Sequence, residues 1–150
     1  MTQNLNKFLS SQFNKKYATA NGTSIHLLLK NTIIDKDFES GDKKIICQIK
    51  NHTNLIKYFS RTAKTEVPIA GLVHGTFVSR RIDRMLIDDT NKTIEFIDYK
   101  TDTNKSIFIE KYIKQLNEYA QILYSAYSNY KINGYILWIQ DWQLQPITSL

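Results

Sequence analysis

The strongest constraint on the fold is a long amphipathic segment set between two strand-like runs. Over residues 107–128 the apolar positions Ile109, Tyr112, Ile113, Leu116, Tyr119, Ala120, Leu123, Ala126 and Tyr127 step mostly by three and one. That is the period of a helix with one buried face. Before it, Ile94, Phe96 and Asp98 alternate with Glu95, Ile97 and Tyr99, the period-two pattern of a strand. After it, Tyr135-Ile136-Leu137-Trp138-Ile139 is a continuous apolar run. A strand that returns through a helix lies parallel to its neighbour. The expected class is therefore α/β, a central mixed β-sheet flanked by helices.

The rest of the chain fits around this unit. Ile25, Leu28, Leu29, Thr32 and Ile33 have helical spacing, with small polar residues at 21–24 to start the helix. Gly41 and Asp42 break the chain, and a second helix is expected over 43–61. Pro68, Gly71 and Gly75 then punctuate short runs of β-formers. A strand through Arg81-Ile82-Asp83-Arg84, a polar turn at 88–92 and a strand at 93–100 predict a β-hairpin. Asn133-Gly134 is expected to end the connection into the last strand. The 150 residues suit one domain. It is expected over residues 21–150, with 1–20 as a weakly ordered lead-in or a short helix.

Composition excludes several classes. One cysteine, Cys47, leaves no internal disulfide and no cysteine-based zinc or iron–sulfur site. No apolar run approaches a membrane span, and the first 20 residues lack the apolar core of a secretory signal. A cytoplasmic protein with no membrane partner is expected. The net charge of +6 is uneven: residues 1–64 carry 11 Lys/Arg against 4 Asp/Glu, and residues 65–150 carry 9 against 10. A basic part beside a carboxylate-containing part suits a polyanion that is held and then acted on.

The hairpin holds the chemistry. Asp98 and Lys100 are two apart on a strand, so they share a face. Asp83 on the partner strand can reach the same place. Converging carboxylates are costly without a partner, and a divalent cation resolves the cost. Hard oxygen ligands select Mg²⁺ or Mn²⁺. Such an ion acidifies water and stabilises charge on a phosphate in transit. Lys100 then has several available roles: orienting the water, helping to deprotonate it, or stabilising developing charge. The plain alternative is an exposed hairpin with a surface ladder of Arg, Asp and Lys.

Three segments in order carry a resemblance. Val78-Ser79-Arg80-Arg81-Ile82-Asp83-Arg84-Met85-Leu86, Ile97-Asp98-Tyr99-Lys100-Thr101 and Gln115-Leu116-Asn117-Glu118-Tyr119-Ala120 resemble the nuclease domain of AddA/RecB-type helicase–nucleases, in the PD-(D/E)xK superfamily. The similarity runs over residues 65–146. It implies a restriction-endonuclease-like core, with Asp83 and Asp98 as metal-binding acids and Lys100 as the catalytic lysine. It implies that Gln115 and Tyr119 form the helix motif beside the site; four apart, they share a helix face. Residues 21–29, with His26, resemble the family's upstream helix and imply that His26 is a further metal ligand. Glu66, in Thr65-Glu66-Val67-Pro68-Ile69, resembles the acid of an upstream strand and is assigned at or behind the site. His52 and His74 match no family position, and His52 is expected to be a packing residue.

The sequence also departs from the family. Arg80 stands where the family usually has Gly, and Lys30 where a Glu often follows the helix. No Gly-Lys-Ser/Thr phosphate loop and no helicase segment occurs in these residues. The expected function is a Mg²⁺-dependent DNA nuclease without its own motor. Its expected substrate is single-stranded DNA or DNA ends, in recombination and double-strand-break repair. An exonuclease is expected over an endonuclease, with a separate helicase subunit as a candidate partner. Arg80, Arg81 and Arg84 are expected to hold the DNA backbone, and Tyr112, Trp138 or Trp142 to offer stacking surfaces or fill the core. The alternatives are a non-catalytic module that binds DNA or a helicase, and an RNA-directed nuclease.

Overall fold

A computed structural model of the chain describes residues 22–150; the expected lead-in at 1–20 lies outside the described residues. Helix α1 (Gly22–Lys30) is followed by two short strands, β1 (Ile33–Ile34) and β2 (Glu39–Ser40). Helix α2 (Lys43–Asn51) and a 3-10 helix (Thr53–Phe59) complete the N-terminal half. The main sheet contains β3 (Lys64–Val73), β4 (Thr76–Asp88), β5 (Thr93–Lys100), β6 (Lys131–Trp138) and β7 (Gln143–Ser149). Helix α3 (Lys105–Ala126) joins β5 to β6. The spatial order is β3-β4-β5-β6-β7, antiparallel except for the parallel β5–β6 pair. The molecule is thus an α/β protein with a five-stranded mixed sheet flanked by helices.

Strand β5 is buried on both faces because each face meets a helical layer. Ile94 and Phe96 pack with Tyr112, Leu116, Tyr119 and Leu123 of α3. Ile97 and Tyr99 pack with Ile25 and Leu29 of α1, Ile45, Ile46 and Ile49 of α2, and Tyr58 and Phe59. Burying each such side chain contributes roughly 1.5–3 kcal/mol. Trp138 and Trp142 are buried in these cores, so base stacking on them is excluded by burial; Tyr112 is largely buried in the core under α3. No helix among the described residues is long and apolar enough to cross a membrane.

Several boundaries differ from the sequence expectation. Helix α1 ends at Lys30, where the Thr32 hydroxyl donates to the Leu28 carbonyl at 2.8 Å, and Ile33–Ile34 pairs with β2 instead of extending the helix. Asp42 starts α2 by accepting from the amides of Lys44 and Ile45 at 2.9 and 3.1 Å, an N-cap. The expected helix over 43–61 stops at Asn51 and tightens into the 3-10 turn. The polar run Asn51-His52-Thr53-Asn54 has weak helix preference, and the His52 ring turns back to the Gln48 carbonyl at 2.8 Å.

Strand β3 runs unbroken through Pro68 and Gly71. Proline is tolerated there because β3 is an edge strand. Gly134 lies inside β6 rather than at the end of a connection: a Cβ there would stand 2.4 Å from Phe96 Cζ and 2.8 Å from Thr148 Cγ2. The glycine is needed for side-chain packing across the sheet.

Candidate active site

Strands β4 and β5 pair from Asp88↔Thr93 as far as Arg84↔Ile97. The next positions in that register are Asp83 and Asp98, and there the ladder opens. The Tyr99 amide, which would otherwise lack a β4 carbonyl, donates to Asp83 Oδ2 at 2.8 Å. Asp83 also marks a change of phase in β4. Ile82 belongs to the core under α3, while Arg84 turns to the opposite face. On β3, Glu66 lies across from Asp83, between the pairs Thr65↔Arg84 and Val67↔Ile82, and has φ 52°. A non-glycine residue in that region is strained by about 1–3 kcal/mol, and such strain clusters at functional sites.

The fork collects most of the residues singled out in the sequence. His26 Nε2, on α1, stands 3.3 Å from Asp83 Oδ2, and its ring meets the Tyr99 ring edge-on at 5.5 Å between centroids. Asp98 is 5% exposed. Its Oδ2 is buried with no hydrogen-bond donor in place among the described residues. Lys100 Nζ lies 2.6 Å from that oxygen, off the direction of a hydrogen bond, so the two meet as charges. Burial pushes the Asp98 carboxyl up to about 6; Lys100 opposes this, the Asp83 charge adds to it and His26 opposes it.

Helix α3 orients the lysine. Lys100 Nζ donates to Gln115 Oε1 at 3.0 Å, and Gln115 Nε2 donates to the Tyr119 hydroxyl at 2.6 Å. Four residues apart on one helix face, Gln115 and Tyr119 make a chain that ends on the ammonium. Burial, with the Asp98 charge, pushes the Tyr119 phenol up to about 12, against the hydrogen bond from Gln115. Tyr119 is therefore a neutral phenol here. The Lys100 ammonium also sits over the Tyr112 ring, 4.1 Å from its centroid.

The remaining candidates divide. Glu66 accepts from Arg81 Nη1 at 3.1 Å and stands near the fork through its place opposite Asp83. Arg80 and Arg81 are exposed, Arg80 with Nη2 3.4 Å from Glu118 Oε2. Arg84 is not a surface contact. It is 2% exposed. It donates to the Tyr99 hydroxyl at 2.8 Å and to the carbonyls of Tyr58, Leu29 and Thr32 at 3.0, 2.6 and 2.8 Å. Its guanidinium also stacks on Phe59 at 4.2 Å. Buried this way, Arg84 cannot reach a DNA backbone, and that assignment is corrected.

The sequence reading missed two cations. Lys111 and Lys114, with Arg80, Lys100, Tyr112, Gln115 and Glu118, line an open cavity of about 530 Å³ beside the fork. Both are exposed and make no ion pair among the described residues. Their signal was available: Lys111, Lys114, Gln115 and Glu118 step by three, one and three along the helix face that carries Gln115.

Among the described residues no three His, Cys, Asp or Glu side chains are already drawn together as a metal cage. The fit to a divalent ion rests on the donor chemistry of the fork and on the buried Oδ2 of Asp98, which is ion-paired with Lys100 but accepts no well-directed hydrogen bond among the described residues. Compared with known family models and with curated proteins, the chain matches none.

Proposed function

We propose that the chain is a divalent-metal-dependent nuclease acting on single-stranded DNA or DNA ends, built on a restriction-endonuclease-like core. The observation that carries this reading is the fork itself. Two carboxylates occupy the opened end of one hairpin, one of them buried with an oxygen that accepts no well-directed hydrogen bond among the described residues, and an oriented ammonium is ion-paired with it. A structural ion pair is expected to complete its hydrogen bonds.

Asp83, Asp98 and His26 would hold Mg²⁺ or Mn²⁺, with carboxylate oxygens as the harder ligands. When bound, such an ion polarises a phosphate oxygen and acidifies water. Lys100, held by Gln115 and lining the cavity, places a positive charge where a phosphodiester would gain negative charge. This is electrostatic stabilisation by a group already in position. Arg80, Lys111 and Lys114 offer charge to neighbouring phosphates. The resemblance described above supports DNA as substrate, and a separate helicase subunit as partner.

The test is cleavage of end-labelled linear and circular single-stranded DNA, and of RNA of the same sequence, with Mg²⁺, Mn²⁺ or EDTA. Metal-dependent cutting of DNA is expected, reduced on the order of a hundredfold or more in Asp98→Ala. A folded protein that cuts nothing under any of these conditions would overturn the proposal. Preference for the RNA strand would move the substrate.

A further inference from the structure

The distal half of the β3–β4 hairpin has no role in the site described above. Strand β4 pairs with β5 only over Arg84–Asp88. Beyond Arg84 it pairs with β3 alone, as far as Val73↔Thr76. The two strands therefore run on past the fork as a two-stranded ribbon. A two-residue turn closes it, His74-Gly75, with φ of 49° and 78°. Positive φ at both positions is the tight hairpin turn that continues the strand twist.

The ribbon has one covered and one bare face. On the covered face Ile69 joins the core under α3, and Gly71 approaches Ile122 of α3 closely. On the other face Pro68, Ala70, Leu72, Phe77, Ser79 and Arg81 are all exposed. Leu72 and Phe77 are direct cross-strand partners, 68% and 70% exposed. They are the two most exposed large apolar side chains among the described residues, side by side at the tip of a stiff hairpin. Nearer the fork the same face is flat and small, Ala70 beside Ser79, and then carries the Arg81 cation.

We propose that this ribbon is a base-engaging arm, with Phe77 and Leu72 packing against the bases of a single strand whose backbone runs past Arg81 toward the fork. The inference rests on the nucleic-acid reading above and extends it to a second contact region. Two observations choose a nucleic acid strand over another apolar occupant. The bare face runs from the apolar tip to the exposed Arg81, which is paired with Glu66 opposite Asp83 of the fork. The ribbon itself, residues 64–81, carries Lys64, Arg80 and Arg81 against Glu66 alone, which favours a polyanion. Phe77 and Arg81 are four positions apart on the strand, about 13 Å at the usual rise. An aromatic face and a cation at that spacing meet the two parts of a single strand, base and phosphate.

The test uses the full chain carrying Asp98→Asn, which holds the strand uncut, with Phe77→Trp as reporter and Phe77→Ala as the loss variant. The probes are an oligothymidine strand and an abasic strand of the same length and charge. Phe77→Trp emission is expected to be quenched by oligothymidine and not by the abasic strand. Phe77→Ala is expected to weaken oligothymidine binding by about tenfold, the scale of losing one stacked base, while abasic binding is unchanged. Equal quenching by both strands, or unchanged oligothymidine affinity in Phe77→Ala, would overturn the arm. So would a dimer in sedimentation that Phe77→Ala dissociates without altering DNA binding, since the tip would then serve a second copy of the chain. Base-dependent quenching without metal-dependent cleavage by the native sequence would retain the arm and reject the nuclease. Cleavage without base-dependent quenching would do the reverse.

Discussion

At the scale of single residues, Asp98 is where stability and the proposed chemistry oppose each other. Its carboxylate is taken out of water, and Lys100 meets its Oδ2 as a charge without a well-directed hydrogen bond. Burial raises its pKa from 3.8 to about 6, so the folded state binds the proton more tightly than the unfolded state. Stability of the metal-free protein from this group is therefore greatest at low pH. It falls as pH rises through the window from about 4 to 6. Asp98→Asn removes the charge and keeps the shape. In EDTA at pH 7.5 it is expected to be more stable than the native sequence by ~1–3 kcal/mol, an advantage that shrinks as pH falls below 6 and is nearly gone at pH 4. Urea unfolding at several pH values measures this. An Asp98→Asn protein less stable at pH 7.5 would show that the native carboxylate is satisfied and would remove the main support for a metal there.

At the scale of elements, Arg84 joins the two halves of the molecule. Its guanidinium binds the carbonyls of Leu29 and Thr32 at the end of α1 and of Tyr58 in the 3-10 helix, while its backbone sits in β4. A cation among the last carbonyls of a helix also complements the helix dipole. Arg84→Met would leave three buried carbonyls without their donor. It is expected to cost at least ~3 kcal/mol in urea unfolding and to loosen α1, which carries His26. A DNA-contact role would instead leave stability intact and reduce only DNA affinity, so the two accounts separate in one titration. The sequence could not announce this role. An arginine in Arg81-Ile82-Asp83-Arg84 reads as a surface ladder because nothing local says that two helix ends converge on it from residues 29–32 and 58. The β4–β5 hairpin and α3 were legible because their period is carried by neighbouring residues: alternation at 93–100, steps of three and four at 107–127. The grouping of Asp83, Asp98 and Lys100 followed from that same alternation. Strand β3 was obscured by Pro68 and Gly71, which an edge strand against α3 accommodates. Strand β7 was obscured by its half-exposed alternation. Glu66 was placed by resemblance alone, and its left-handed backbone has no sequence signal.

At the scale of the whole molecule, the positive charge of the chain resolves into paired and unpaired cations. Lys57, Lys50, Arg61 and Lys105 are engaged with Glu95, Glu39, Asp35 and Asp141. Arg80 and Arg81 pair only through exposed contacts with Glu118 and Glu66, which contribute little in water. Lys111 and Lys114 line the cavity beside Lys100 and are not paired among the described residues. On the proposed function, these four are the cations that would replace counterions on a strand approaching the fork. If each neutralises one phosphate, the logarithm of the association constant should fall with the logarithm of salt at a slope of about −3, from roughly 0.7 per phosphate on a single strand. Lys111→Ala combined with Lys114→Ala should bring the slope to about −1.5 on the same rule, with folding unchanged because both side chains are exposed. Anisotropy titrations of a labelled strand against Asp98→Asn protein from 50 to ~300 mM salt measure it, within the range where screening of surface charge is strong. A slope that the double substitution leaves at about −3 would mean that the strand does not cross this cavity. The phosphate path would then have to be sought on the α1 side of the fork, where His26 meets Asp83.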